Sequence, residues 1–257
     1  MTSFVDTHCH FDFSPFCGDE AGSLQRATEA GVEKIIAVGV SADRFAGVID
    51  LADRYEPLYA ALGIHPMAIG RFEEAHLAQL ESWLRLRPKK LVAIGEIGLD
   101  LYMEDPQFAR QEALLEAQLR LAKQYDLPVI LHSRRTHDKL AMHLRRIDLP
   151  RRGVVHGFAG SEQQALAFIR AGYAIGVGGT MTYARATKTR NTFSRLPLSS
   201  LVLETDSPDM PVQGFQGQPN RPERIKNVWQ SLCEIREESP EEIADTIREN
   251  TRALFAL

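Results

Sequence analysis

The chain has 257 residues, of which 44% are hydrophobic and 25% charged, and a formal net charge of −4. That length suits two ordinary domains or one large α/β barrel of about 250 residues, and the composition can fill an ordinary buried core. The mildly negative balance excludes the extensive cationic surface needed to wrap long duplex nucleic acid. No segment approaches the roughly 20 consecutive apolar residues of a membrane helix.

The N-terminus shows no basic stretch followed by an apolar run, so no secretory signal is expected. Cys9, Cys17 and Cys233 are odd in number and lack Cys-x-x-Cys spacing. That fits a reducing compartment, with the cytoplasm as the expected location.

Short β-rich runs alternate with helix-like stretches from end to end. The expected strands are Phe4–Thr7, Lys34–Gly39, Leu58–Gly63, Leu91–Glu96, Val129–His132, Gly153–His156, Tyr173–Gly178 and Leu201–Asp206. Most are continuously apolar, as for parallel strands covered on both faces. The clearest helix runs from Pro106 to about Tyr125. Asp105 would cap it, Pro106 would take the first helical position, and Phe108, Leu115, Leu119 and Ala122 would share a face. Pro208–Pro222, rich in Gly, Pro and Gln, reads as a long loop. Ser239-Pro240-Glu241-Glu242 reads as a capping-box start for a last helix bearing Ile243 and Ile247.

Eight strand–helix units predict one (β/α)8 TIM barrel spanning residues 1–257. An open doubly wound sheet is the alternative, but no Gly-rich phosphate loop follows the first strand. In a barrel, the loop after the last strand would overhang the catalytic face. No apolar stripe suggests an interface, so a monomer is expected.

The chemistry-bearing residues recur at one place in these units. His8 and His10 lie at the end of the first strand, and alternation along a strand points both the same way. Glu96, His132, His156 and Asp206 end four later strands. A single His at a strand end is usually a hydrogen-bonded structural residue. Six such residues in register on five strands are hard to explain as core packing. Barrel active sites sit at the C-terminal ends of the strands. Four histidines and two carboxylates suit zinc, manganese, nickel or iron(II), with magnesium also possible. Six ligands exceed the needs of one open catalytic zinc and give room for a second ion, with Glu96 as the bridge. Cys9 should face away from the histidines as a small core residue.

Arg and Lys residues cluster at Arg134, Arg135 and Lys139, at Arg145, Arg146, Arg151 and Arg152, and near Arg185–Arg195 and Arg221–Lys226. Most read as solvated helix faces. Arg134 differs because it follows His132 by two residues and could approach the same pocket. Its planar fork suits a phosphate.

The motifs Asp6-Thr7-His8-Cys9-His10-Phe11, Gly63-Ile64-His65-Pro66 and Gly95-Glu96-Ile97-Gly98-Leu99-Asp100 are followed by three more. These are Leu131-His132-Ser133-Arg134, His156-Gly157-Phe158-Ala159-Gly160 and Glu204-Thr205-Asp206-Ser207-Pro208. In this order, across nearly the whole chain, they resemble the TatD family of metal-dependent deoxyribonucleases, within the amidohydrolase-like barrels. Within the family the chain looks most similar to the YjjV-type branch of metal-dependent hydrolases. The resemblance implies one metal held by His8, His10 and Asp206, a second by His132 and His156, and Glu96 shared between them. It places His65 in the active site, near substrate phosphate or solvent, or as a hydrogen-bonding support. Many family nucleases carry His-Cys-Phe where this chain has His156-Gly157-Phe158, a smaller residue that bears on substrate preference.

The resemblance implies hydrolysis of phosphodiester bonds in single-stranded DNA or at DNA ends, with one or two divalent ions (Zn, Mn or Mg). Asp206 would orient the attacking water or accept its proton, and His65 and Arg134 would position phosphate. The same metal chemistry on a small phosphoester, a lactone, an amide or an aminoacyl-tRNA ester is the alternative. A binding protein with a closed structural metal is a third possibility, disfavoured by the open position of the ligands.

Overall fold

The computed structural model describes residues 2–257. Eight parallel strands form one sheet in sequence order: β1 (Phe4–Cys9), β2 (Val32–Val38), β3 (Leu58–Leu62), β4 (Leu91–Asp100), β5 (Val129–Arg134), β6 (Gly153–Val155), β7 (Ala174–Val177) and β8 (Leu201–Leu203). The sheet curls until β8 returns to β1. There Cys9 bridges Ser207, the Asp206 N–H donates to the His8 carbonyl at 2.8 Å, and the His10 N–H donates to the Ser207 carbonyl at 2.7 Å. This is the expected TIM barrel.

Helices alternate with the strands: α1 (Glu20–Glu29), α2 (Phe45–Arg54), α3 (Glu74–Leu86), α4 (Phe108–Gln124), α5 (His137–Arg146), α6 (Glu162–Arg170), α7 (Thr187–Arg195), α8 (Ile225–Cys233) and α9 (Pro240–Phe255). No helix is long and apolar enough to cross a membrane among the described residues.

Alternation along the strands divides the apolar residues into two layers. Ile35, Ala37, Leu131 and Val155 pack outward in the main cluster beneath the helices. Ile36, Val38, Ala61, Ala93, Ile130, Val154 and Val202 form the smaller inner cluster, which Phe255 of α9 joins. Ile130 lies two residues before His132, Val154 two before His156, and Val202 two before Glu204. The inner cluster is therefore the apolar floor beneath those polar side chains. Cys9 is fully buried in the outer layer, as its position between two inward histidines requires.

Four local expectations are corrected. β8 stops at Leu203, so Asp206 lies beyond the strand, at φ 57°, rather than at its end. β4 does not end at Glu96 but runs on to Asp100, so Glu96 sits inside the strand. The cause is a register shift between Ile94 and Ile97, after which Ile97 to Asp100 pair with Leu131 to Arg134 of β5. The helix expected from Pro106 begins at Phe108, with Gln107 at φ 42° before it. Asp105 and Pro106 stay in the loop, where the Pro106 carbonyl accepts from the Gln111 amide at 2.6 Å. At α9 the Ser239 hydroxyl accepts from Glu242 N–H and Pro240 takes the first position, but only this half of the capping box forms.

Candidate metal centre

At the C-terminal mouth of the barrel, the six expected ligand residues and His65 converge. His8 Nε2 lies 3.1 Å from Glu96 Oε2 and 3.3 Å from Asp206 Oδ1. His10 Nε2 lies 3.2 Å from Asp206 Oδ1 and 3.5 Å from Glu96 Oε2. The other oxygen of Glu96, Oε1, faces His156 Nε2 at 2.7 Å, His132 Nδ1 at 3.1 Å and His65 Nε2 at 3.1 Å. Each oxygen of one carboxylate thus serves a different histidine set. All these residues except His132 and Asp206 are buried outright, and those two are nearly so.

The arrangement fits cations. His8 and His10 bring their Nε2 atoms to 3.4 Å, and His156 Nε2 lies 3.4 Å from His132 Nδ1. Two imidazole lone pairs at that distance gain nothing from each other and are satisfied together by a positive ion. Three groups of ligand atoms lie mutually within 4.8 Å: His8, Glu96 and His156; His8, His10 and Asp206; and His65, Glu96 and His132. Nitrogen and carboxylate oxygen donors of this kind suit zinc or manganese.

Neighbouring groups fix which nitrogen is free. The Val38 carbonyl lies 3.3 Å from His10 Nδ1 and only accepts, so the ring carries its proton there and turns a lone pair at Nε2 toward the centre. Asp100 Oδ2 does the same for His132, accepting from Nε2 at 2.8 Å and leaving Nδ1 free. Glu204, buried beside His156, has Oε1 at 3.6 Å from His156 Nδ1 and accepts from the Gly157 N–H at 2.5 Å. Gly176 leaves room for it, since a Cβ there would meet Glu204 Oε2 at 2.4 Å.

His65 is held the opposite way. Its Nδ1 accepts from the Met67 N–H at 3.0 Å. The proton of the neutral ring is therefore on Nε2, which points at Glu96. His65 presents a donor to the centre where His10 and His132 present lone pairs. Its burial holds the ring below the usual histidine range, which keeps it neutral.

The centre's own charges offset its burial. Burial opposes the charge on Glu96, but the surrounding histidines, His156 foremost, outweigh it and keep the carboxyl well below the usual carboxylate range. Burial also opposes charge on His10, yet the hydrogen bond with Asp206 and the charge of Glu96 raise it to about 9. His156 is raised too, because Glu96 and Glu204 outweigh its burial. Ligation must displace such protons.

The centre opens into a cavity of about 1070 Å³ lined by His10, His65, Glu96, His132, His156 and Asp206. Arg134 and Arg135 also line it, as do Pro208, Asp209 and Met210 at the start of the expected loop. Arg134 is exposed at the rim, and its guanidinium carbon lies 3.8 Å over the Tyr102 ring rather than among the ligands. Many of the other arginines are paired away from the mouth, such as Arg146 with Glu116 and Arg195 with Glu162. Asp100 and Glu204 were in the quoted motifs but carried no expected role. The signal for Asp100 is its even spacing from Glu96, visible once β4 is known to continue.

A model of the TatD-related DNase family matches residues 5–256. The chain is 63% identical to the uncharacterized metal-dependent hydrolase YjjV of Escherichia coli K12, across 98% of this chain and 97% of that protein. A crystal structure of YjjV, a TatD homologue, superposes with a TM-score of 0.98 at 62% identity, covering 99% of this chain and 98% of the other. The chain is also 32% identical to the 3′-5′ ssDNA/RNA exonuclease TatD of a Rahnella strain, across 95% of each. The chain belongs to the TatD-related DNase family of metal-dependent hydrolases.

Proposed function

We propose that this chain is a divalent-metal-dependent phosphodiesterase that cleaves single-stranded DNA or DNA ends. The observation that carries the reading is the two-sided use of Glu96, one oxygen toward His8 and His10 and the other toward His132 and His156. In this reading His8, His10, Glu96 and Asp206 hold one ion, and Glu96, His132 and His156 hold a second. Divalent cations there supply charge for phosphoryl oxygens and acidify water.

The side chains divide the remaining work. Asp206, the most accessible of the acidic ligands, accepts the proton of the attacking water. His65 donates from Nε2 toward a phosphoryl oxygen, and its neutral state makes it a hydrogen-bond donor rather than an added charge. Arg134 meets phosphate from the rim, already ordered by Tyr102. The likeness to the Rahnella 3′-5′ ssDNA/RNA exonuclease supports the substrate class. The three free cysteines fit the cytoplasm as the working compartment, and we take the monomer as the working form.

The test is cleavage of an end-labelled single-stranded DNA oligomer by metal-stripped protein, repeated with Mg²⁺, Mn²⁺ and Zn²⁺. The His8→Ala/His10→Ala double variant is the control. Metal-dependent shortening, lost in the double variant, is expected. Stoichiometric metal binding without cleavage would move the substrate to a non-DNA ester or amide, which Gly157 beside His156 gives room to accept.

A further inference from the structure

Next to the metal centre, the rim carries more cationic groups than hydrolysis of one phosphate needs. Arg134 and Arg135 both lie over the Tyr102 ring, with guanidinium carbons 3.8 and 4.5 Å from its centroid. Consecutive strand side chains normally diverge. Here Arg134 ends β5 and Arg135 takes the left-handed region, at φ 59°. That turn brings both guanidinium groups to one aromatic ring, an arrangement that costs a non-glycine residue backbone strain. Neither arginine forms an ion pair among the described residues. Both line the catalytic cavity.

Beside Tyr102 lies a hollow lined by Met67, Tyr102, Met103 and Arg134, with Asp100, Glu104 and Asp105 among its walls. Met67 is 70% exposed and Tyr102 54%, a large apolar surface to leave in water. The hollow is tied to the metal centre. Asp100 Oδ1 accepts from the Tyr102 N–H at 2.7 Å while Oδ2 holds His132. The Leu101 N–H donates to the Arg134 carbonyl at 3.0 Å.

From this geometry we infer a nucleotide subsite adjoining the scissile bond: the neighbouring phosphate rests on Arg135 and its base enters the hollow between Met67 and Tyr102. The inference rests on the phosphodiesterase reading above. Two unpaired guanidinium groups held in place by a ring form an anion site with little ordering cost left to meet. Flat apolar walls of Met and Tyr suit any base face, so the subsite is tolerant of sequence. Glu104 and Asp105 repel a further phosphate and accept from the N–H groups that every base carries. The subsite therefore ends after one nucleotide.

The experiment compares a dinucleotide with one internal phosphate and a trinucleotide with two, using metal-loaded wild type, Arg135→Gln and Tyr102→Leu. Wild type should prefer the trinucleotide in kcat/KM, and the preference should shrink about tenfold in Arg135→Gln, the loss of one charge-assisted hydrogen bond. Tyr102→Leu should shrink it as well. Equal losses on both substrates, the mark of a general defect, overturn the subsite, as does a wild type without the preference. If wild type cleaves neither substrate, the phosphodiesterase reading fails by itself. Equilibrium binding of labelled trinucleotide then decides the subsite: weaker binding to Arg135→Gln supports it, and equal binding overturns it.

Discussion

Asp100 holds two bonds that an asparagine cannot keep together. Its oxygens accept separately from His132 Nε2 at 2.8 Å and from the Tyr102 N–H at 2.7 Å. An amide has a single acceptor oxygen, so Asp100→Asn leaves one of these donors facing an NH2 group. The carboxylate's charge, which raises the basicity of His132, is lost as well. Metal affinity should fall by about 10- to 100-fold, measured by competition with a chelator of known affinity. Unchanged affinity would mean that His132 is oriented without Asp100. The ligand residues themselves were legible in the sequence because polar, metal-capable side chains end apolar runs. Asp100 was not, because the run breaks at Glu96 and nothing in the letters marks a register shift that lets β4 continue.

At the scale of elements, α4 positions the histidine side of the centre. Gln111 and Gln118 are seven residues apart and share a face. The Gln118 amide accepts from the Ile64 N–H at 2.8 Å and donates to the Ile64 carbonyl at 3.1 Å. Ile64 immediately precedes His65. Gln111 does the same at Asp100, with bonds of 2.8 and 2.9 Å. Each side chain thus takes up one backbone N–H and one carbonyl, just past β3 and at the end of β4. Gln118→Leu leaves a buried N–H and a buried carbonyl unpaired, at about 1–3 kcal/mol each. The Tm should drop by several degrees in a chain of this size, and kcat should fall as His65 loses its fixed place. A melt identical to wild type would show that water or repacking replaces the clasp. The helix itself was legible from Leu115, Leu119 and Ala122, which are all buried. Its two glutamines were not, because a Gln on an apolar face looks like an exception until the backbone it meets is known. The start of α4 was misplaced for a related reason. Asp105 and Pro106 have the chemistry of a helix start, but both stay in the loop, where Asp105 walls the rim and the Pro106 carbonyl accepts from Gln111.

The whole molecule depends on closing the barrel between its first and last strands, and that seam is polar. Asp6 is fully buried, and its carboxylate accepts from the Thr205 N–H at 2.9 Å and the Thr205 hydroxyl at 2.5 Å. The Thr7 hydroxyl donates to the Leu203 carbonyl at 2.8 Å. Eight alternating units made the barrel legible, but not how its ends join, because β8 is only Leu201–Leu203 and too short to zip the seam by backbone pairing alone. Burial pushes the Asp6 carboxyl up from 3.8 to about 7, against the lowering effect of its Thr205 bonds. A carboxyl raised on folding keeps its proton where the unfolded chain has lost it. Its contribution to stability is therefore full below the unfolded value of 3.8 and is lost as pH rises through about 7. Asp6→Asn removes the titration but keeps the shape. Urea unfolding of metal-saturated wild type and variant across that window should show their stability difference shrinking, or reversing, as pH rises. The slope should not exceed about 1.4 kcal/mol per pH unit, the limit for one proton. Other groups titrate in both proteins and cancel in the difference. A difference that stays constant across the window would mean that the seam does not hold this proton, and that Asp6 closes the barrel as a carboxylate throughout.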